Sequence, residues 1–359
     1  MTASKRLWVV PLAMLLTVLS VTTSRAQTIA GVVVEGSSGE GLAGAIVLLF
    51  DNENTERGAV LTQPDGRFEI QAPEPGTYRL RVERIGHAST TSAPLTVVDG
   101  QRLETSLQAP IEAIELTGIE VVLDHPCEVR PETSRHITVV WEEARKALVA
   151  AYLTQNQRLY RFELSEHRRL RDPRSFRIED EALWIRSDRR PDSPYISRSA
   201  REFSQLGYAD VHEDHVQYYG PDAAALVSDS FLDLHCFRLV EKHGPRGLLG
   251  IAFSPLRGHD KVDIEGVLWV DRVSGELDHL EFRYVGLPWR HRAAAATGRV
   301  DYRRLAEGGW IIGGWWLRAP LFRDSLGHGP VVAIKEVGGE VTAVTGPEVR
   351  PEPDDRSQT

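Results

Sequence analysis

Through the first third of the chain, short apolar runs alternate with glycine, proline and Asp-Gly punctuation roughly every eight to twelve residues, the rhythm of a small all-β sandwich. The pattern predicts seven strands, near Ala30–Glu35, Ala45–Asp51, Ala59–Thr62, Arg67–Gln71, Tyr78–Arg84, Leu95–Val98 and Leu116–Leu123. In the fifth, Tyr78, Leu80 and Val82 share one face while Arg79, Arg81 and Glu83 share the other. Asp65-Gly66 and Pro75-Gly76 supply the turns that feed two of these strands. Gly44 keeps bulk away from the start of a buried strand, where a neighbouring backbone is expected to come close.

The order Gly31-Val-Val-Val-Glu35, Gly41 to Leu49, Thr62-Gln-Pro-Asp-Gly-Arg-Phe68, Pro75 to Val82 and Ile85-Gly-His87 resembles the carboxypeptidase regulatory-like domain, a transthyretin-like module. The resemblance spans residues 28–123. It implies a module that supports the folding or docking of a neighbour, as beside zinc carboxypeptidases and at the start of TonB-dependent receptors. Modules of this shape are also grouped with carbohydrate-binding-like folds. No plug and barrel are expected to follow, and the remaining length does not suit a zinc carboxypeptidase catalytic domain.

Residues 124–137 read as a linker with two prolines, and 138–344 as a second domain. Val139 to Gln155 has helical periodicity: Thr138 is placed to cap it, Glu142 and Glu143 suit its positive end, and Val140, Ala144, Ala147, Leu148 and Ala151 form an apolar stripe. A second helix is expected across Asp222–Leu234. The rest reads as antiparallel hairpins. Ile264–Val270 turns back into Leu280–Tyr284, Arg299–Tyr302 pairs with Trp310–Ile312, and Val331–Glu336 pairs with Glu340–Val344 through Gly338-Gly339. The expected fold is therefore mainly β: an N-terminal seven-stranded β-sandwich plus a C-terminal curved antiparallel sheet with one packing helix. The hairpin text also resembles outer-membrane lipoprotein-carrier half-barrels, which implies a sheet wrapped around an apolar cavity.

Residues 1–26 have the form of a secretory signal peptide, with Lys5 and Arg6 before an apolar run and Ser24-Arg-Ala26 at the cleavage position. That run is shorter than the about 20 residues a spanning helix needs, so no transmembrane anchor is expected in the mature chain. Loss of Lys5, Arg6 and Arg25 takes the formal net charge from −9 to −12. So acidic a chain is a poor ligand for nucleic acid. The basic clusters Arg168–Arg171 and Arg186–Arg190 are interleaved with acids and read as solvated strand faces or loops. Residues 345–359, with three prolines, read as a disordered tail.

Chemical motifs are sparse. His125-Pro-Cys-Glu128 lacks a third metal ligand, and His212 and His215 would point to opposite faces of an extended segment. No Gly-x-Ser-x-Gly elbow or phosphate-cradling glycine loop is present. Asp263, Glu265 and Asp271 fall on one strand face and read as solvated. No catalytic residue, metal or cofactor is assigned. The candidate ligand-binding residues are Trp269, Trp310, Trp315 and Trp316, read either as core or as an aromatic platform for sugar rings or acyl chains. Adjacent Trp315 and Trp316 must face opposite ways on a strand.

These observations lead to the expectation of an exported, non-enzymatic binding or interaction protein of the bacterial envelope, in the periplasm or at the outer membrane, with an envelope protein or glycan as partner. The alternatives are a carbohydrate-binding protein and a lipid or lipoprotein carrier. In an oxidising compartment Cys127 and Cys236 are expected to pair. Alkylation of the unreduced, denatured protein, read by intact mass, should leave both cysteines unmodified; two modified thiols would refute the bridge.

Overall fold

The computed structural model describes residues 27–346, apart from 37, 110–111, 115, 117–118, 120–127, 130–134, 158–159, 189–196, 213–215, 243–246, 257–260, 288–295 and 324–329. The expected leader, Cys127, most of the linker and the tail beyond Gly346 lie outside the described residues. The chain is mainly β. In its N-terminal unit, β1 (Gln27–Val34), β4 (Arg67–Ala72) and β8 (Arg102–Gln108) form one sheet in the order β4-β1-β8. The facing sheet runs β3 (Glu56–Leu61), β2 (Ile46–Phe50), β5 (Gly76–Glu83), β6 (Thr90–Thr91), with β7 (Leu95–Val97) also paired to β5. Ile29, Val33, Val47, Leu49, Phe68, Ile70, Leu80 and Val82 meet between the sheets.

Six of the seven expected sandwich strands are present within a few residues of their predicted limits. The seventh is different. Leu116 and Ile119 lie in no strand, and the remainder of Leu116–Leu123 lies largely outside the described residues. Its place is taken by β8, whose short Leu103-x-x-x-Leu107 signal is weak because β8 runs parallel to β1 on an otherwise exposed edge.

The larger unit is one ten-stranded sheet in which every neighbouring pair is antiparallel. Its strands are β9 (Glu128–Val129), β10 (Arg161–Arg171), β11 (Ile178–Asp188), β14 (His235–Lys242), β15 (Leu248–Pro255), β16 (Asp263–Asp271), β17 (Leu277–Val285), β18 (Thr297–Arg304), β19 (Trp310–Phe322) and β20 (Val331–Thr345). The order is β11-β10-β20-β19-β18-β17-β16-β15-β14-β9. A two-stranded ribbon of β12 (Ala209–Val211) and β13 (Val216–Tyr218) stands apart. The expected linker thus contributes the last strand, Glu128–Val129, paired to Cys236 and Phe237.

Three local expectations are corrected. The long helix α1 spans Arg135–Gln157, so Thr138 lies inside it and does not cap it. The segment Asp222–Leu234 forms two helices, α3 (Ala223–Leu226) and α4 (Asp229–Leu234), because Ser228 caps the second through Phe231 N–H. A further short helix, α2 (Ala200–Leu206), precedes them and carries a capping box of Ser199 and Glu202. The third hairpin does not exist: Gly338-Gly339 sits in mid-strand, and β20 pairs with β10 on one side and β19 on the other. The glycines are there for room. A methyl at Gly338 would lie 2.6 Å from the His167 ring, and one at Gly339 would lie 3.1 Å from the Trp315 indole nitrogen.

The two units share a core through α1. Its stripe of Val140, Ala144, Ala147, Leu148 and Ala151 is buried as expected, with Trp141 added. On one side α1 meets Ile46, Leu48 and Leu61 of the sandwich, and on the other Phe237, Ile251, Leu268 and Leu280 of the large sheet. This is why β2 reads as an unbroken apolar run: Val47 and Leu49 face the sandwich core while Ile46 and Leu48 face the helix. Glu143 and Lys146 are 0% and 1% exposed, so Glu143 does not simply sit at a positive helix end. Its carboxylate accepts from Gly86 N–H at 2.6 Å and from Lys146 Nζ at 2.7 Å, while Lys146 also donates to the His87 carbonyl at 2.6 Å. Arg145 adds a bond to buried Glu83 at 2.7 Å. Elsewhere on the junction, Gly44 (φ +68°) abuts Gly308 (φ +90°) of the β18–β19 turn, and a methyl on Gly44 would sit 1.9 Å from the Gly308 carbonyl oxygen.

Glu143→Ala leaves the Lys146 ammonium buried without its counter-charge, and should cost about 3–5 kcal/mol of unfolding free energy. The double change Glu143→Leu/Lys146→Met should recover most of that loss. Denaturant titration of both variants tests the coupling, and equal losses in the two would refute it.

Candidate functional site

The four candidate tryptophans do not form one site; the sheet divides them. Trp310 and Trp315 point into the concave core around α1, where the Trp310 backbone N–H donates to Thr154 Oγ1 at 3.2 Å. Trp316 faces the convex side, half-buried, with the Arg318 guanidinium 3.9 Å above its ring. The register places Trp269 on that same convex side, paired to His279 and to Gly250. It is almost fully buried, filling space that a side chain at Gly250 would occupy. Trp269 and Trp316 are three strands apart, about 14 Å at ordinary strand spacing, with Glu281, Arg299 and Asp301 between them. Arg299 bonds both neighbours, Glu281 at 2.8 Å and Asp301 at 2.7 Å.

The concave side is filled. Trp141, Ala144, Leu148 and Leu226 all have no exposed surface. A small apolar cleft of about 40 Å³ remains at the C-terminal end of α1, lined by Ala151, Thr154, Phe162, Leu164, Ile311 and Val341 among others. Acyl-chain and sugar pockets are on the order of 300–1,000 Å³. Among the described residues, α1 packs against the strands that the carrier expectation would have line a cavity.

The convex face holds the densest charge network, centred on Glu336 of β20. Its carboxylate takes Arg318 Nε at 2.5 Å, Arg171 Nε at 2.8 Å, and Arg169 Nη1 and His167 Nε2 at 3.3 Å each. Burial opposes its ionisation, but hydrogen bonds from Arg171 and Arg318 outweigh that and hold its pKa down at about 2. His167 is pushed below the ordinary imidazole value, first by burial and then by Arg169. Arg169 and Arg171 are thus fixed ion-pair partners, not the solvated strand residues the sequence suggests. The signal was present but dispersed: alternate residues His167, Arg169 and Arg171 lie on one strand, and their acceptor is 165 positions from Arg171.

Other predicted chemistry also resolves into structural roles. Glu265 pairs with Arg283, Asp271 accepts from Val273 and Ser274 N–H in the β16–β17 turn, and Asp263 accepts from its neighbour's N–H and approaches His235 at 3.3 Å. They do not form one solvated face. The buried His235 ring lies 2.9 Å from the Phe231 carbonyl and 3.3 Å from that of Ile264. Cys236 Sγ lies 3.5 Å from Ser254 Oγ. His125, Cys127 and His215 lie outside the described residues. Among the described residues no group of three metal-ligating side chains occurs, and no helix is long and apolar enough to cross a membrane.

Residues 28–109 match the carboxypeptidase regulatory-like domain, so the N-terminal sandwich is a module of that class. No curated protein matches the chain. Among solved structures, a DUF1329 family protein from Desulfovibrio piger is 11% identical over 57% of this chain and 92% of its own, with a TM-score of 0.26. A putative carbohydrate-binding protein from Bacteroides uniformis is 8% identical over 68% of this chain and 99% of its own, with a TM-score of 0.21. The pilus 2b backbone protein of group B streptococcus is 19% identical over 23% of this chain and 39% of its own, with a TM-score of 0.18. Likeness at this level carries no functional argument, and none of these names supports the lipoprotein-carrier resemblance.

The depressed Glu336 pKa means the unfolded chain binds a proton more readily there, so the stability it supplies is present above about pH 4.5 and is lost as pH falls toward 2. Glu336→Gln should flatten the acid limb of the stability–pH curve by up to about 3 kcal/mol. Denaturant midpoints measured across that range, for wild type and variant, give the comparison; parallel curves would refute the assignment.

Proposed function

We propose that this is an exported, non-enzymatic binding or interaction protein of the bacterial cell envelope. The supporting observation is the filled concave face: with α1 occupying the sheet's interior, recognition falls to the outer surface. The regulatory-like module contributes side chains of β2 and β3 to that same core, so it acts here as a brace for the large sheet. Its fixed docking onto α1 suits a protein that presents a rigid exterior to a partner. The leader-like segment supports export.

A second reading, glycan binding, is favoured by Trp316. The ring is half-exposed on the convex face, with Arg318 over one side of it. An aromatic plane flanked by charged hydrogen-bonding groups suits a sugar ring.

Two measurements test these readings. Cell fractionation should find the chain cleaved after Ala26 in the envelope fraction; an uncut precursor in the cytosol overturns the export reading. Titration with envelope glycans should shift intrinsic fluorescence in wild type and not in Trp316→Ala if the second reading holds. No shift with any glycan removes the second reading and leaves the first standing.

A further inference from the structure

The two ends of the ten-stranded sheet are unlike. At one end β9 is only two residues long. At the other β11 offers eleven residues, paired to β10 along one side and to no described strand on the other. Soluble proteins protect such an edge with charged side chains, lysine above all, or with proline, a bulge or brevity. Strand β11 has neither lysine nor proline, and its one register shift falls near its start, opposite Leu170 and Arg171. Four of its exposed residues are nevertheless large and apolar, Ile178 at 46%, Leu183 at 62%, Trp184 at 43% and Ile185 at 72%, beside exposed Glu179, Asp180, Glu181 and Arg186. Leu183 and Ile185 lie on the convex face and Trp184 on the other, so each face of the edge carries exposed apolar surface among its charges.

The charges along β11 say what would cover it. Glu179, Asp180 and Glu181 open the strand, Ala182 to Ile185 form an apolar centre, and Arg186 follows. Read backwards, the string sets Asp180 against Arg186 and the apolar centre against itself, with Glu181 opposite Ile185. We propose that β11 is a homotypic docking edge, at which a second copy of this chain adds its own β11 antiparallel across a twofold axis through Leu183. Position i then meets position 366 − i of the other copy. Asp180 faces the other copy's Arg186 twice over, Leu183 meets Leu183, and Ala182 meets Trp184. The neighbouring alignment, shifted by one residue in each copy, would set Asp180 against Asp188. Glu181 is already held by Arg169 at 2.5 Å, which leaves Asp180 as the acid for the new pair; Arg186 approaches Glu166 of its own chain at 3.4 Å, is 47% exposed, and would be shared with the incoming Asp180. A twofold axis normal to the sheet keeps both convex faces on one side, so dimerisation would make a continuous twenty-stranded surface and double the outer face. The pairing does not depend on what that face binds, and its failure would leave the envelope-binding reading untouched.

Sedimentation equilibrium of the purified protein, from micromolar to millimolar concentration, should show a monomer–dimer equilibrium. Leu183→Lys/Ile185→Lys changes only exposed side chains, should leave the far-ultraviolet circular dichroism unchanged, and should abolish the dimer. Asp180→Arg and Arg186→Asp should each weaken association by about tenfold or more, since each change acts twice across the axis. Together they should restore it. A monomer at all concentrations, or a dimer indifferent to the lysine pair, overturns the proposal; foreign strands would then be the remaining occupants of the edge. Failure of the charge swap to restore association overturns the Leu183-centred pairing.

Discussion

Burial of α1 between sheets from two different modules is the constraint on which the other features depend. A sandwich of this size normally leaves its outer faces to water, yet β2 is apolar at every position from Ile46 to Phe50. Only a second apolar layer can satisfy such a strand, and α1 provides it. The helix in turn needs the large sheet to cover its opposite side. Neither module's surface is complete without the helix.

The polar contacts at this junction fix geometry more than they add stability. Desolvating Glu143 and Lys146 is costly, and an apolar pair of equal volume could fill the space. What the ions specify is register: Glu143 reaches one backbone N–H at Gly86, and Lys146 reaches one carbonyl at His87. The Gly44–Gly308 contact acts in the same direction, because backbone can approach backbone that closely only where both residues lack a side chain. Sliding or rotation between the modules would break both.

With the interior packed around α1, the outer face is the surface the large sheet presents. The convex face carries Trp316 under Arg318, together with the Arg299 ladder and the Glu336 cluster, whose cross-strand bonds stiffen it. The sheet's two ends differ in the same functional sense. One stops at a two-residue strand, while the other exposes an eleven-residue strand on which Leu183, Trp184 and Ile185 lie among charged side chains.

Local chemistry in the sequence determined the sandwich strands, the apolar stripe of α1 and the opposite facing of Trp315 and Trp316, because alternation and helical spacing are set within a few residues. Motif order determined the class of the N-terminal module. What the sequence could not convey was pairing across distance. Gly338-Gly339 looked like a turn until His167 and Trp315 were found filling the space beside it; Asp263, Glu265 and Asp271 looked like one face until each met a different partner. Arg169 and Arg171 looked solvated until β20 brought Glu336 alongside. Only the tertiary structure decided whether the curved sheet would enclose a cavity or a helix, since apolar residues lining a pocket and apolar residues packing a core have the same spacing along a strand.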